Sequence, residues 1–178
     1  MKHVLFAFAL IPGLAFAASD DSFAPKPPKP TQTTKQCKGI KVWDSGTKTC
    51  VNPQGSSLDA DTLYGAVREL AYADRQKDAQ AVLALMPDQS DDRVLTYWGF
   101  THRKLGNVAL AQAFYDQAID LNPDNLLARS YMGQGYVTAG NIKAARAQLR
   151  EIRARGGAGT WPEVSLSKAI TYGQTFSY

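Results

Sequence analysis

The fold is decided by residues 92–125, which read DRVLTYWGFTHRKLGNVALAQAFYDQAIDLNPDN. The small and turn-forming residues of this stretch recur 34 positions later in the chain. The matching pairs are Gly99 with Gly133, Gly106 with Gly140, Asn107 with Asn141, and Ala111 with Ala145. Each Gly-Asn pair separates two amphipathic runs, because glycine reaches the left-handed conformation that ends a helix and asparagine caps the next one. The pattern predicts a helical hairpin that repeats every 34 residues.

This period and its residues resemble the tetratricopeptide repeat family. The family consensus W, L-G, Y, A, F, A and P corresponds here to Leu95, Trp98-Gly99, His102, Ala111, Tyr115, Ala118 and Pro123. Two places depart from it: the large aromatic residue has moved from the first place to the second, and histidine replaces tyrosine at the fourth. The resemblance implies a non-enzymatic scaffold whose first helices line a concave groove for a protein or peptide.

The repeat extends in both directions from residues 92–125. Upstream, residues 58–85 form a degenerate unit in which Gly65 lies 34 positions before Gly99. Downstream, residues 126–155 form a third unit, and a last helix is predicted from Thr160 to Tyr172, with Glu163 completing a capping box. The predicted fold is therefore all-α, a short tetratricopeptide solenoid of about three hairpins over residues 57–155. Residues 156–178 supply a capping helix and tail.

The resemblance also places residues in the groove. From the second and third units these are Arg93, Thr96, Phe100, Arg103, Lys104, Leu127, Ser130, Gln134 and Val137. An exposed Phe100 flanked by basic groups suits an extended or helical peptide of acidic character. The Lys and Asn residues with which the family grips a C-terminal carboxylate are absent. The alternative is a groove filled by the chain's own N-terminal segment or last helix.

The N-terminus has the features of a secretory signal peptide over residues 1–17. Lys2 and His3 precede an apolar run from Val4 to Leu10, and the run Ala15-Phe16-Ala17 is a signal-peptidase site. The apolar run is too short to span a bilayer as a helix. We expect cleavage near Ala17, a periplasmic or secreted protein without membrane insertion, and an association with the cell envelope.

Two further segments precede the repeats. Residues 18–36 are polar and proline-rich, which predicts an extended linker or a polyproline ligand. Residues 37–53 hold the chain's two cysteines, Cys37 and Cys50, which pair in an oxidising compartment. The strand-forming and turn residues between them predict a disulfide-stapled β-hairpin that precedes the helices.

The hairpin leaves two interpretations open. It resembles small cysteine-stapled glycan-binding modules, in which an aromatic-Asp pair, here Trp43-Asp44, lies between cysteines. Those modules carry more cysteines than this chain. One interpretation is a spacer with Trp43 packed on it, and the other is a Trp43 platform for a cell-envelope glycan.

The residues argue against an enzyme. His3 belongs to the signal peptide, His102 occupies a packing position, and paired cysteines are not nucleophiles. The carboxylates Asp88, Asp91 and Asp92 suit a helix start, and the Gly156–Gly159 run lacks the lysine of a phosphate loop and is predicted to be a flexible connector. We therefore expect no catalytic residue, no metal site and no cofactor.

The charge of the chain argues against a nucleic-acid partner and leaves the role of one basic helix face open. A net charge of +4 is too small to indicate nucleic acid as the partner. Four cations share one predicted helix face, namely Lys143, Arg146, Arg150 and Arg153. This face is either a solvated outer surface or a contact with an anionic surface or acidic partner.

Overall fold

The computed structural model describes residues 26–175 of the chain. Its elements are α1 (Gln32–Lys35), β1 (Val42–Asp44), β2 (Thr49–Val51), α2 (Ala60–Tyr72), α3 (Gln76–Leu83), α4 (Asp92–Lys104), α5 (Val108–Leu121), α6 (Leu126–Thr138), α7 (Ile142–Ala154) and α8 (Trp161–Tyr172). The predicted signal peptide, the start of the predicted linker and the last three residues lie outside the described residues.

Three helical hairpins are stacked in chain order, α2 with α3, α4 with α5, and α6 with α7. The first helices of the hairpins contact one another in sequence and form an inner layer, which α8 continues by packing on α6. The second helices, α3, α5 and α7, form an outer layer. The predicted all-α solenoid of three hairpins with a final helix, preceded by a small β-hairpin, is therefore confirmed.

The predicted turn residues lie at the helix boundaries. Gly106 and Gly140 adopt φ values of 85° and 75° directly after α4 and α6. Asn141 then caps α7, because its side chain accepts a hydrogen bond from the Ala144 amide at 3.1 Å. Asp91 caps α4 in the same way by accepting from the Arg93 amide at 2.7 Å. Asn107 is the N-cap residue of α5, but its side chain makes no capping hydrogen bond, so the predicted cap is wrong at this position.

Glycines allow close helix contacts at two of three equivalent repeat positions. A Cβ atom at Gly99 would lie 2.5 Å from the Tyr115 ring, so this glycine lets α4 approach α5. A Cβ atom at Gly133 would lie 2.6 Å from Leu166, which is on α8 and not on the paired helix α7. Gly65 has nothing within 4 Å of its Cβ position. The same sequence position therefore serves three different surroundings.

The segment before α2 is docked on the repeats. Glu69 on α2 is buried and accepts hydrogen bonds from the backbone and side chains of Thr31 and Thr34. Arg75 donates to the Cys37 carbonyl at 3.2 Å and also to the Gly39 carbonyl. The prediction of an extended linker to residue 36 is therefore wrong for its last residues, because Thr31 caps α1 and α1 packs on α2.

The disulfide-stapled hairpin is part of the same packing. Cys37 and Cys50 form the expected disulfide, and β1 pairs antiparallel with β2. Val42 is buried in the core that continues through α2, α4 and α6. We call the combination of α1 and this hairpin, residues 31–51, the N-terminal clamp.

The last helix begins differently from the prediction. Thr160 is the N-cap residue of α8, but its side chain makes no capping bond and instead donates to the Gly157 carbonyl. Glu163 accepts from Arg153 on α7 at 2.6 Å, so no capping box forms. Gly157 is buried against Ile152 and Leu126, which makes the glycine run a packed turn and not a flexible connector. Gly173 ends α8 in the left-handed conformation, as predicted.

Candidate functional site

The structure places the predicted groove residues on the inner layer, but most of them are inaccessible. On α4 and α6 the buried members are Thr96, Phe100, Leu127, Ser130, Gln134 and Val137. Phe100 has an exposed fraction of 0%, so the prediction of an exposed ring is wrong. Arg93 remains exposed and Arg103 half-buried. Of the nine predicted residues, only Arg93, Arg103 and the half-buried Lys104 present accessible side chains.

Phe100 is covered by aromatic rings from the neighbouring first helices. Its ring centroid lies 4.7 Å from that of Tyr131 on α6 and 5.6 Å from that of Tyr72 on α2. Tyr97 lies 5.8 Å away, and the hydroxyl groups of Tyr72 and Tyr131 are hydrogen-bonded to each other. Burial raises the pKa of Tyr97 and of Tyr131, so both hydroxyls stay protonated. The floor of the inner face is therefore an aromatic core.

The predicted groove positions of α6 are occupied by α8. Ser130 donates to the Pro162 carbonyl at 2.8 Å and shares a hydrogen bond with Ser165 at 3.0 Å. Gln134 donates to the same Ser165 hydroxyl at 3.5 Å. The alternative in which the last helix fills part of the groove thus describes this end of the stack.

Three arginines remain along the open side of this aromatic core. The guanidinium of Arg93 lies 5.0 Å from the Tyr64 ring centroid, and that of Arg68 lies 5.8 Å from the same ring. Arg103 lies 5.5 Å from the Phe100 ring. Tyr64, Tyr97 and Phe100 are in contact, so the three guanidinium groups pack against one connected set of rings, of which Tyr97 and Phe100 are buried. We call Arg68, Arg93 and Arg103 the arginine rim.

Ion pairs and neighbouring residues hold the rim in place. Arg93 donates to Asp91 at 2.8 Å and reaches Asp61 at 3.3 Å. Lys104, the next residue after Arg103, pairs with Asp74 at 3.2 Å. Arg68 donates to the Lys26 carbonyl, at the start of the described chain. Arg68 and Tyr64 were missed in the sequence because the first unit is degenerate, although the 34-residue offset places Tyr64 with Trp98.

A second aromatic group lies between α4 and α5. The His102 ring stacks on Phe114 at 5.6 Å and on Trp98 at 5.8 Å. Desolvation lowers the pKa of His102, which favours the neutral imidazole. This packing role agrees with the expectation that His102 is structural. A cleft of about 580 Å³ is lined by Leu95, Gln117 and Leu121 and by Gln89, which accepts a hydrogen bond from Trp98 at 3.3 Å.

The remaining sequence predictions concern other parts of the surface. Trp43 is half-buried on β1, and its amide donates to the Thr33 hydroxyl at 3.1 Å. Between residues 26 and 175, no three His, Cys, Asp or Glu side chains come together as a metal site. In the same stretch, no helix is both long enough and apolar enough to cross a membrane.

The stacked antiparallel hairpins and their shared inner layer define a helical-repeat protein. A family model for the tetratricopeptide repeat matches residues 102–164, from the end of α4 to the start of α8. Residues 102–164 are therefore similar to tetratricopeptide repeats, in agreement with the resemblance seen in the sequence. Such repeats suggest a protein–protein interaction scaffold, and the family is generally non-enzymatic. No curated protein and no solved structure matches the chain.

Proposed function

We propose that this protein is an exported scaffold that binds an acidic segment of a partner protein along the arginine rim. The observation that carries the proposal is the set of three guanidinium groups that pack against one connected set of aromatic rings on the inner layer. Arginine is enriched in interfaces and binds carboxylates through a planar fork of N–H donors. A partner carboxylate would share Arg93 with Asp91 and Asp61, which already accept from it.

The burial of the aromatic core beneath the arginine rim changes the expected mode of binding. Since Phe100, Ser130 and Gln134 are buried, a ligand cannot insert side chains between the first helices. It would lie across the rim and bind mainly through charge, which favours fast and salt-sensitive association. We therefore propose a weak, reversible contact for Arg93 and Arg103 and a purely structural role for Thr96, Phe100, Ser130, Gln134 and Val137.

Two features support export. The predicted signal peptide over residues 1–17 directs the chain out of the cytoplasm, and the Cys37–Cys50 disulfide persists in oxidising compartments. A periplasmic or secreted location therefore belongs to this proposal. The glycan-binding alternative stays a prediction based on Trp43, and the docking of its hairpin on α2 favours a structural role.

The proposal is tested by site-specific photocrosslinking in cells that export the full-length chain. Crosslinkers at positions 93 and 103 should each capture the same partner from the extracytoplasmic fraction, whereas one at Lys77, which is exposed on α3, should not. With a crosslinker at position 61, the double variant Arg93→Glu, Arg103→Glu should capture at least tenfold less partner than the wild-type chain does.

The matched control is Lys38→Glu with Lys41→Glu, because it makes the same change in charge at two exposed residues of the N-terminal clamp. Circular dichroism must show that both double variants are folded. Equal capture by the rim variant and the control would contradict the arginine rim as the binding surface.

A further inference from the structure

The outer layer has an uneven distribution of charge. Residues 105–125, which include α5, contain three aspartates and no lysine or arginine. Residues 141–155, which include α7, contain five basic residues and one glutamate. Two helices of the outer layer therefore differ strongly in the sign of their charge, although they occupy equivalent places in successive hairpins.

The opposite charges lie on the same side of the molecule. Asp116 and Arg150 are 34 residues apart, so they hold the same position in successive repeats. Both side chains are exposed, as are those of Asp120, Lys143 and Arg146. We call Asp116 and Asp120 the acidic stripe, and Lys143, Arg146 and Arg150 the basic stripe.

These charges are not neutralised within the described chain. Among residues 26–175, none of the five stripe residues takes part in an ion pair. Arg153 of α7 pairs with Glu163, and Arg155, which follows α7, pairs with Asp124. Asp116 accepts only a hydrogen bond from Gln112 at 3.0 Å. The stripes are thus available to a partner on the outer surface.

An independent observation is the apolar surface of the same region. Two large apolar side chains of α5, Val108 and Leu110, have exposed fractions of 53% and 46%. The exposed Leu105 and Leu121 instead line clefts beside the preceding hairpin and the segment before α4. The outermost residues of α5 also include the exposed Ala109 and Ala113, whose small side chains let another helix approach closely.

We infer that the outer face of α5 and α7 binds a second copy of this chain. A partner that satisfies both stripes must carry a basic stripe beside an acidic one, and the chain itself presents this arrangement. A two-fold rotation places α5 of one copy on α7 of the other, and it repeats the contact on the opposite side of the axis. The apolar side chains of α5 would then leave water, and each acidic stripe would meet a basic stripe.

Charge exchange tests this inference with the full-length, folded protein. The first variant is Asp116→Lys with Asp120→Lys, and the second is Arg146→Glu with Arg150→Glu. Sedimentation velocity at about 50 μM in low salt should give two copies for the wild type and a single copy for each variant alone. An equimolar mixture of the two variants should again give two copies, because both contacts of the heterodimer are then complementary.

Three results would overturn the inference. They are a monomeric wild type at this concentration, a variant that associates as the wild type does, and a mixture that stays monomeric. The control Lys38→Glu with Lys41→Glu carries the same charge change as the second variant and should leave association within about twofold of the wild type. If a double variant is unfolded by circular dichroism, Arg150→Glu alone and Asp120→Lys alone replace the pair and should mix to the same effect.

Discussion

At the scale of the residue, one repeat position is packed differently in each of the three hairpins. Gly65, Gly99 and Gly133 are each 34 residues apart and lie in α2, α4 and α6. Tyr115 crowds the second and Leu166 the third, while the first faces open space. The sequence register finds the position, but only the packing decides which glycine is irreplaceable.

This difference makes a prediction for alanine substitution. Gly99→Ala should lower the free energy of unfolding by about 1–3 kcal/mol, because the added methyl group overlaps the Tyr115 ring. Gly65→Ala should leave it unchanged or raise it by up to about 1 kcal/mol, since alanine favours the helix and meets no atom. Urea denaturation of the two variants checks both signs. Equal destabilisation would show that the close contact with Tyr115 is not the cause.

Residue identity also explains where the functional prediction failed. The register places Phe100 on the inner layer correctly, and it gives Arg93 and Arg103 as neighbours. It does not report that Tyr72 and Tyr131, from the preceding and following hairpins, lie over Phe100. Those contacts depend on how closely successive hairpins pack. The repeat pattern in the sequence does not report that distance. The exposure of a groove residue could therefore not be predicted.

At the scale of the element, one carboxylate holds the first part of the N-terminal clamp, while Arg75 and the buried Val42 hold its hairpin. Glu69 receives donors from both the backbone and the side chains of Thr31 and Thr34, and it fastens α1 to α2. The proline-rich composition of residues 18–36 hid this element, although Thr31 had the chemistry of an N-cap. A four-residue helix has too few positions to show a period.

Replacing this carboxylate should release the clamp. Glu69→Gln removes an acceptor oxygen and leaves at least one threonine donor without a partner, which should cost about 1.5–3 kcal/mol. Hydrogen exchange should rise in residues 31–51 and remain near the wild-type rate in α6 and α7. Glu151→Gln, at a half-exposed carboxylate on α7, is the control. Uniform acceleration along the whole chain would contradict a local role for Glu69.

At the scale of the whole molecule, the stack is closed at its C-terminal end by α8. Leu166 and Ala169 are buried with Leu126, Val137, Ala145, Leu149 and Ile152 in a cluster that joins the last three helices. The sequence predicted this helix and its end at Gly173. It did not predict that Ser165 would bind Ser130 and Gln134, because hydrogen bonds between helices follow no sequence spacing.

The cap is predicted to stabilise the last hairpin. Leu166→Ala should lower the free energy of unfolding by about 2–5 kcal/mol, because it opens a cavity beside Gly133. Thermal unfolding followed by circular dichroism measures the loss, and amide exchange should show the largest change in α6, α7 and α8. Lys168→Ala, at an exposed position of the same helix, is the control and should change stability by less than about 0.5 kcal/mol. A Leu166 variant as stable as this control would contradict the role of α8 as a cap.

The two closed ends also limit how such a protein can be lengthened. The N-terminal clamp covers α2, and α8 covers α6, so a new hairpin joined to either end would meet a surface that is already taken. A longer version must be made by duplicating a middle unit. A second copy of residues 92–125 could be inserted between Asn125 and Leu126. This copy contains the glycine that leaves room for Tyr115 and the turn that leads into the following hairpin.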